Sequence, residues 1–175
     1  MGRKSRGAGL PIHCGPIPGG RTGGIEMKAI SLWQPWAYAW ADPEGPKIHE
    51  TRSWSTNYRG PLLIQAAKRF SKEARDFAET ERTLRRLPSR LAFGAIIGVV
   101  NLTGVIDALE IKLSTTALDR LYGDFSPSRF AWKKEGSILF KEPIGFRGAQ
   151  GIFEVPEQTL VKLTEQLDEH PEWWD

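Results

Sequence analysis

Residues 94–107 read Gly-Ala-Ile-Ile-Gly-Val-Val-Asn-Leu-Thr-Gly-Val-Ile-Asp, a run rich in Ile and Val that carries Gly98 and Gly104 in its interior. β-branched side chains suit a pleated sheet, and an isolated glycine within a strand marks a bulge or a close approach of other backbone. The run is therefore expected to form one long strand or a bent hairpin, with the two glycines at bulges or barrel corners. The longest apolar stretch, residues 91–100, has half of the roughly 20 residues that a membrane-spanning helix needs. A soluble domain in the cytoplasm is expected.

Working outward, Leu62, Leu63 and Ile64 mark a buried strand over 61–67, and alternation predicts strands over 28–32 and 49–54. Pro35 is expected in the first turn of a short aromatic helix running to Trp40. Ser71 is placed to cap a helix over 72–87, with Ala74, Phe77, Ala78 and Leu84 on one face and Pro88 ending it. On the C-terminal side come a brief helix over 114–122 with Gly123 as its C-cap, then strands over 130–140 and 151–155. Pro156 then opens a terminal helix with Leu160, Leu163 and Leu167 at helical spacing. Short strands punctuated by Gly and Pro, with helices in the connections, point to an α+β domain: a small mixed β-barrel with flanking short helices.

The chain has 175 residues, one ordinary domain's worth, and 40% of them are hydrophobic. Residues 1–26 hold eight Gly and three Pro but few large aliphatics, so they are expected to be a disordered tail ahead of one domain over 27–175. The net charge of +3 resides in that tail, and the rest balances twenty bases against twenty acids. Within the neutral body, residues 47–90 carry eleven Lys and Arg against five acids, whereas residues 154–175 carry seven acids against Lys162. One basic lobe can steer a polyanion onto one face, although two solvated helices of opposite charge would give the same count.

The inventory for chemistry is narrow. Cys14 is alone, and the body has only His49 and His170, with no H-E-x-x-H and no P-loop. Zinc hydrolases, thiol enzymes, usual Ser-His triads and nucleoside triphosphatases therefore fall away, and no metal or cofactor is expected. The dense polar stretch is Gly-Pro-Lys-Ile-His-Glu-Thr-Arg-Ser-Trp over 45–54. Along a strand Glu50, Arg52 and Trp54 share one face, where a carboxylate, a guanidinium and an indole can read a flat polar ligand such as a base. The same trio also reads as a strand-edge ion pair beside a core tryptophan. For Lys47 to join Glu50, the chain must turn at 46–48 and the regular strand must begin near His49. Trp33-Gln34-Pro35-Trp36 forms a second cluster, in which the indoles are either base-stacking platforms or core.

Taken together, Ile-Ser-Leu-Trp-Gln-Pro-Trp-Ala at 30–37, G-x-K-x-x-E-x-R at 45–52, Tyr-Arg-Gly-Pro-Leu at 58–62, Phe-Ser-Pro-Ser-Arg-Phe-Ala-Trp at 125–132 and Arg147-Gly148 with Gly151 closely resemble ASCH domains, the ASC-1 homology family. The resemblance spans residues 27–156. It implies a PUA-like β-barrel with a cleft and an RNA-binding role; some relatives are amidohydrolases of N4-acylated cytidines, and RNA cleavage has been proposed for others. Two positions depart: Glu50 stands where the amidohydrolase branch has threonine, and Gln65 where close relatives commonly have histidine.

The first expectation is a binding module for single-stranded RNA or a modified nucleobase. Trp33, Trp36 or Trp54 would stack, Gln34 and Glu50 would meet base edges, and Lys47, Arg52, Arg59 and Lys68 would meet phosphates. Ser128 and Arg129 of the closing motif join the candidate ligand-binding set. The alternative is a metal-independent hydrolase, either an amidohydrolase or a ribonuclease, with Glu50 as general base and Lys47 stabilising the oxyanion. A protein-interaction module is the third reading, and the oligomeric state is left open.

Overall fold

The computed structural model describes residues 26–170. The expected disordered tail, Glu26 apart, lies outside the described residues. The elements are β1 (Met27–Leu32), α1 (Trp36–Ala41), β2 (His49–Arg52), β3 (Gly60–Ala66), α2 (Lys72–Thr83), β4 (Ala95–Asp107), α3 (Ala108–Ile111), α4 (Ala117–Tyr122), β5 (Phe130–Gly145), β6 (Ile152–Val155) and α5 (Glu157–Asp168).

The glycine-bearing run of 94–107 is one long strand at the heart of a six-stranded mixed sheet, ordered β2-β5-β4-β3-β1-β6. β4 pairs antiparallel with β3 and β5, and only β1 and β3 run parallel. The β4–β5 register shifts between Ile96 and Gly98 and again between Leu102 and Gly104, so both glycines sit at irregularities. A Cβ at Gly98 would fall on the Ile138 carbonyl oxygen and lie 3.1 Å from the Ala41 Cβ, so α1 packs closely on the sheet because this position has no side chain.

Strand alternation sends Ile30, Leu62, Ile64 and Ile97 to one face, against Trp40 and Ala41 of α1 and Trp132 of β5. Ala29, Leu63, Ile96 and Val99 go to the other, where Leu160, Leu163 and Leu167 of α5 cover them. The α+β class is as expected, but the sheet does not close into a barrel: among the described residues β2 and β6 are its two ends. At the β2 end, Asp119 accepts the Ile48 and His49 amides and Arg129 donates to the Thr51 carbonyl, so side chains take up backbone groups in and just before this end strand.

Other boundaries differ locally. α2 stops at Thr83, not at 87, because Arg85 turns left-handed at φ 58° and the Arg86 amide closes back on the Glu81 carbonyl at 2.9 Å, a Schellman ending ahead of Pro88. Leu84 is consequently 52% exposed, and the buried face of α2 carries Glu81 with Ala74 and Ala78. Ser71 caps α2 as expected, its hydroxyl accepting the Ala74 amide. β2 ends at Arg52, two residues early, and β5 runs on to Gly145. Pro35 is the N-cap of α1 and lies outside its first turn. The short α3 is an addition, capped by the Asp107 carboxylate on the Leu109 amide.

Candidate functional site

The chain turns through Pro46, and β2 becomes regular only at His49. One oxygen of Asp119 fixes this entry by accepting the Ile48 amide at 2.7 Å and the His49 amide at 2.9 Å. Lys47 and Glu50 are thereby brought to the same side, with the Lys47 Nζ 3.2 Å from Glu50 Oε2. Glu50 Oε1 in turn lies 3.2 Å from Arg52 Nε, and Arg52 Nη2 donates to the Ser31 carbonyl at 2.8 Å, tying β2 to the end of β1. Lys47 is only 1% exposed, and its ammonium also donates to the Tyr122 carbonyl at 2.8 Å. That carbonyl belongs to the last turn of α4, where helix carbonyls lack partners within the helix and favour a cation.

This charged row forms the floor of a cavity of about 520 Å³ lined also by Trp33, Trp36, Thr51, Trp54, Asp124 and Arg129. The cavity lies along the open side of the sheet, where Arg52 crosses from β2 to β1. Trp33 is 44% exposed at the rim with the Arg69 guanidinium 4.9 Å from its ring centre, an arrangement that suits cation–π attraction. Trp36 stacks on Phe77 at 5.8 Å, and Trp54 meets Trp132 edge-on at 4.7 Å. Both tryptophans are half-buried.

Of the residues singled out in the sequence, Trp33, Trp36, Lys47, Glu50, Arg52, Trp54 and Arg129 are brought together, and four are not. Gln34 is fully buried and does not line the cavity; both ends of its amide are used internally, donating to the Ala92 carbonyl and accepting the Tyr38 amide. Arg59 is exposed outside the cavity and donates to the Thr56 and Tyr58 carbonyls. Lys68 is exposed, with its stem against Gly94. Ser128 is an exposed turn residue at φ 64° and does not line the cavity, whereas its neighbour Arg129 does. Gln65 is buried and bonded to Ser31, Ala66 and Phe146.

Sequence reasoning missed the contribution of α4 and the loop after it. Asp119 is buried, and besides the two amides its carboxylate accepts hydrogen bonds from His49 Nδ1–H and the Thr115 hydroxyl, each at 2.7 Å. Burial alone would raise its carboxyl pKa, but these four donors together hold it below the ordinary aspartate value. Asp124 is also held low, by the Ser126 hydroxyl and amide and more weakly by Arg129. Behind the cavity, burial and then the Glu81 carboxylate push the Tyr122 phenol far up; its hydroxyl donates to Glu81 at 2.7 Å. Thr116, which caps α4, was a legible signal for this helix, but nothing local links Asp119 to His49 across 70 residues. Among the described residues, no group of three or more His, Cys, Asp or Glu is placed to hold a metal, and no helix is long and apolar enough to cross a membrane.

No family model and no curated protein matches the chain. Solved structures do. The ASCH protein of Zymomonas mobilis is 16% identical, with a TM-score of 0.51 over 79% of this chain and 94% of its own. A serine-to-alanine variant of that protein gives the same identity and score over 80% of this chain and 95% of its own. A tyrosine-to-phenylalanine variant does so over 79% and 96%. The likeness lies in the fold, and the fold is the one that the sequence motifs resembled.

Proposed function

We propose that the cleft binds a nucleobase, presented by single-stranded RNA or as a modified nucleoside. The observation that carries this reading is the row of buried Lys47 and Glu50 and half-buried Arg52 beneath a rim of partly exposed indoles. Such a floor offers donors and acceptors side by side to the edge of a flat heterocycle, while the indoles offer π surface to its faces. Arg129 and the basic lobe supply cations for a backbone. The open sheet is read as a PUA-like barrel parted along the seam that holds the cleft, in a protein of the cytoplasm.

The test is a screen of nucleosides and short single-stranded RNAs by calorimetry, repeated at several salt concentrations. Binding that weakens with salt and is lost on Lys47→Ala supports the reading; no binding by any nucleoside or RNA overturns it. The second reading, a metal-independent hydrolase, is favoured by the Lys47–Glu50 contact of 3.2 Å, which sets a carboxylate that can take a proton from water beside a cation that can stabilise an oxyanion. Under that reading Glu50→Gln abolishes turnover of an acylated nucleoside or an RNA while leaving binding measurable. Retention of bound RNA without product favours the binder.

A further inference from the structure

Beside the main cleft lies a second cavity of about 400 Å³, and the two share Ser31, Trp33, Arg52 and Trp54 along their border. Its far wall is the loop of Ala149, Gln150 and Gly151 that leads into β6. Side-chain bonds draw this loop in. Gln65 donates to the Phe146 carbonyl at 2.9 Å and accepts the Ser31 hydroxyl at 2.8 Å. Gly148 then lies so close that a Cβ would fall on the Ser31 hydroxyl and the Gln65 amide oxygen. At Gly151 the backbone takes φ 69°, the left-handed region that favours glycine, and turns into β6. The second cavity is therefore shaped by a specified loop, and Arg69 stands over Trp33 at the border.

We propose that the second cavity is a subsite for an adjacent nucleotide, so that the ligand is a single-stranded oligonucleotide at least two residues long; this rests on the nucleobase reading of the main cleft. Two neighbouring cavities of this size, with indoles on their shared border, match two flat groups joined by a short flexible link. The border cation, Arg52, favours an anionic link, which in a nucleic acid is the phosphodiester between successive bases. A free nucleoside would fill one cavity and leave the other empty.

The test is calorimetry on the full chain with four probes: cytidine, cytidine 3′-monophosphate, the dinucleotide CpC, and CpC with either sugar made abasic. The adenosine series is run alongside. A second stacked base is expected to tighten binding about five- to a hundredfold over the mononucleotide, and the gain should vanish in one of the abasic forms. Ala149→Phe, which fills the second cavity alone, is expected to remove the gain while mononucleotide affinity stays within about twofold; an unchanged melting curve shows that the variant folds. Equal affinity of dinucleotide and mononucleotide overturns the subsite, as does a gain that persists in both abasic forms, which would trace it to phosphate alone. Failure of every probe overturns the subsite, and failure of the whole nucleoside and RNA screen as well overturns the nucleobase reading itself, an outcome distinct from nucleoside binding without a dinucleotide gain.

Discussion

The Lys47 ammonium and the Glu50 carboxylate meet at 3.2 Å, although regular strand alternation from Lys47 onward would have sent them to opposite faces of the sheet. They meet because β2 starts only at His49 and because Asp119 ties down the two amides at that start.

The pair is asymmetric, and stability should show it. If Lys47 is lost, Glu50 keeps Arg52; if the Glu50 charge is lost, the buried Lys47 keeps only the Tyr122 carbonyl. Glu50→Gln is therefore expected to cost more than Lys47→Met, about 3 kcal/mol or above against about 2, since an uncompensated buried charge is the larger penalty. The double variant should be more stable than Glu50→Gln alone. Urea unfolding of the three variants measures this, and additive losses would contradict the asymmetry.

Asp119 gives a pH signature. Its carboxyl titrates lower in the folded protein than in the unfolded chain, so its contribution is fully present above the unfolded value of 3.8 and is lost as pH falls through the folded value. Asp119→Asn is expected to cost about 2–3 kcal/mol near neutrality, by loosening His49, Thr115 and the start of β2. Unfolding curves of the two proteins should then begin to converge as pH falls below about 3.8, as the Asp119 carboxylate takes up its proton. A gap that stays constant down to pH 2.5 would show that the carboxylate charge is not what holds this corner.

What was legible in the sequence follows from the range of the interaction. The glycine irregularities of β4, the Ser71 cap and the contact of Glu50 with Arg52 depend on neighbours a few residues away, and spacing reveals them. Gln34 misled for the opposite reason: in sequence it is a polar residue between two tryptophans, but in space its amide meets the Ala92 carbonyl and the Tyr38 amide. Asp119 at the start of β2 and Tyr122 under Lys47 are contacts across 70 residues or more, and no local pattern records them. That the sheet stays open was illegible too, because alternation tells which residues form a strand and not how the end strands are arranged.

Lys134 should make stability rise with alkaline pH. Burial, reinforced by Lys47 and opposed by Asp42 and Asp119, pushes its pKa down to about 8, while its ammonium donates to the Trp40 and Asp42 carbonyls and the Ser137 hydroxyl. Between pH 8 and the unfolded value of 10.5 the unfolded chain holds a proton that the folded protein has released, so this group's contribution increases with pH. Tyr122, whose phenol is raised, acts in the opposite sense above its ordinary value of 10.0 and confines the useful window to lower pH. Unfolding free energies from pH 7.5 to 9.5 should slope upward in the parent and less so in Lys134→Met; equal slopes would refute the assignment.

Arg85 provides the last test, at the end of α2. Its backbone sits at φ 58°, in the left-handed region, while the Arg85 amide bonds the Arg82 carbonyl at 2.8 Å and the Arg86 amide bonds that of Glu81 at 2.9 Å. A residue with a Cβ is strained there and glycine is not, whereas glycine costs more entropy in the unfolded chain. The strain is the larger of the two, so Arg85→Gly is expected to stabilise the protein by about 0.5–1 kcal/mol, and Arg85→Val to destabilise it because β-branching worsens the same conformation. The effect bears on the cleft, because this ending directs the chain to Arg86, whose guanidinium lies 3.3 Å from the Glu81 carboxylate that holds Tyr122. Thermal unfolding of the two variants decides it: a lower midpoint for Arg85→Gly would mean that the arginine side chain contributes more than its backbone costs.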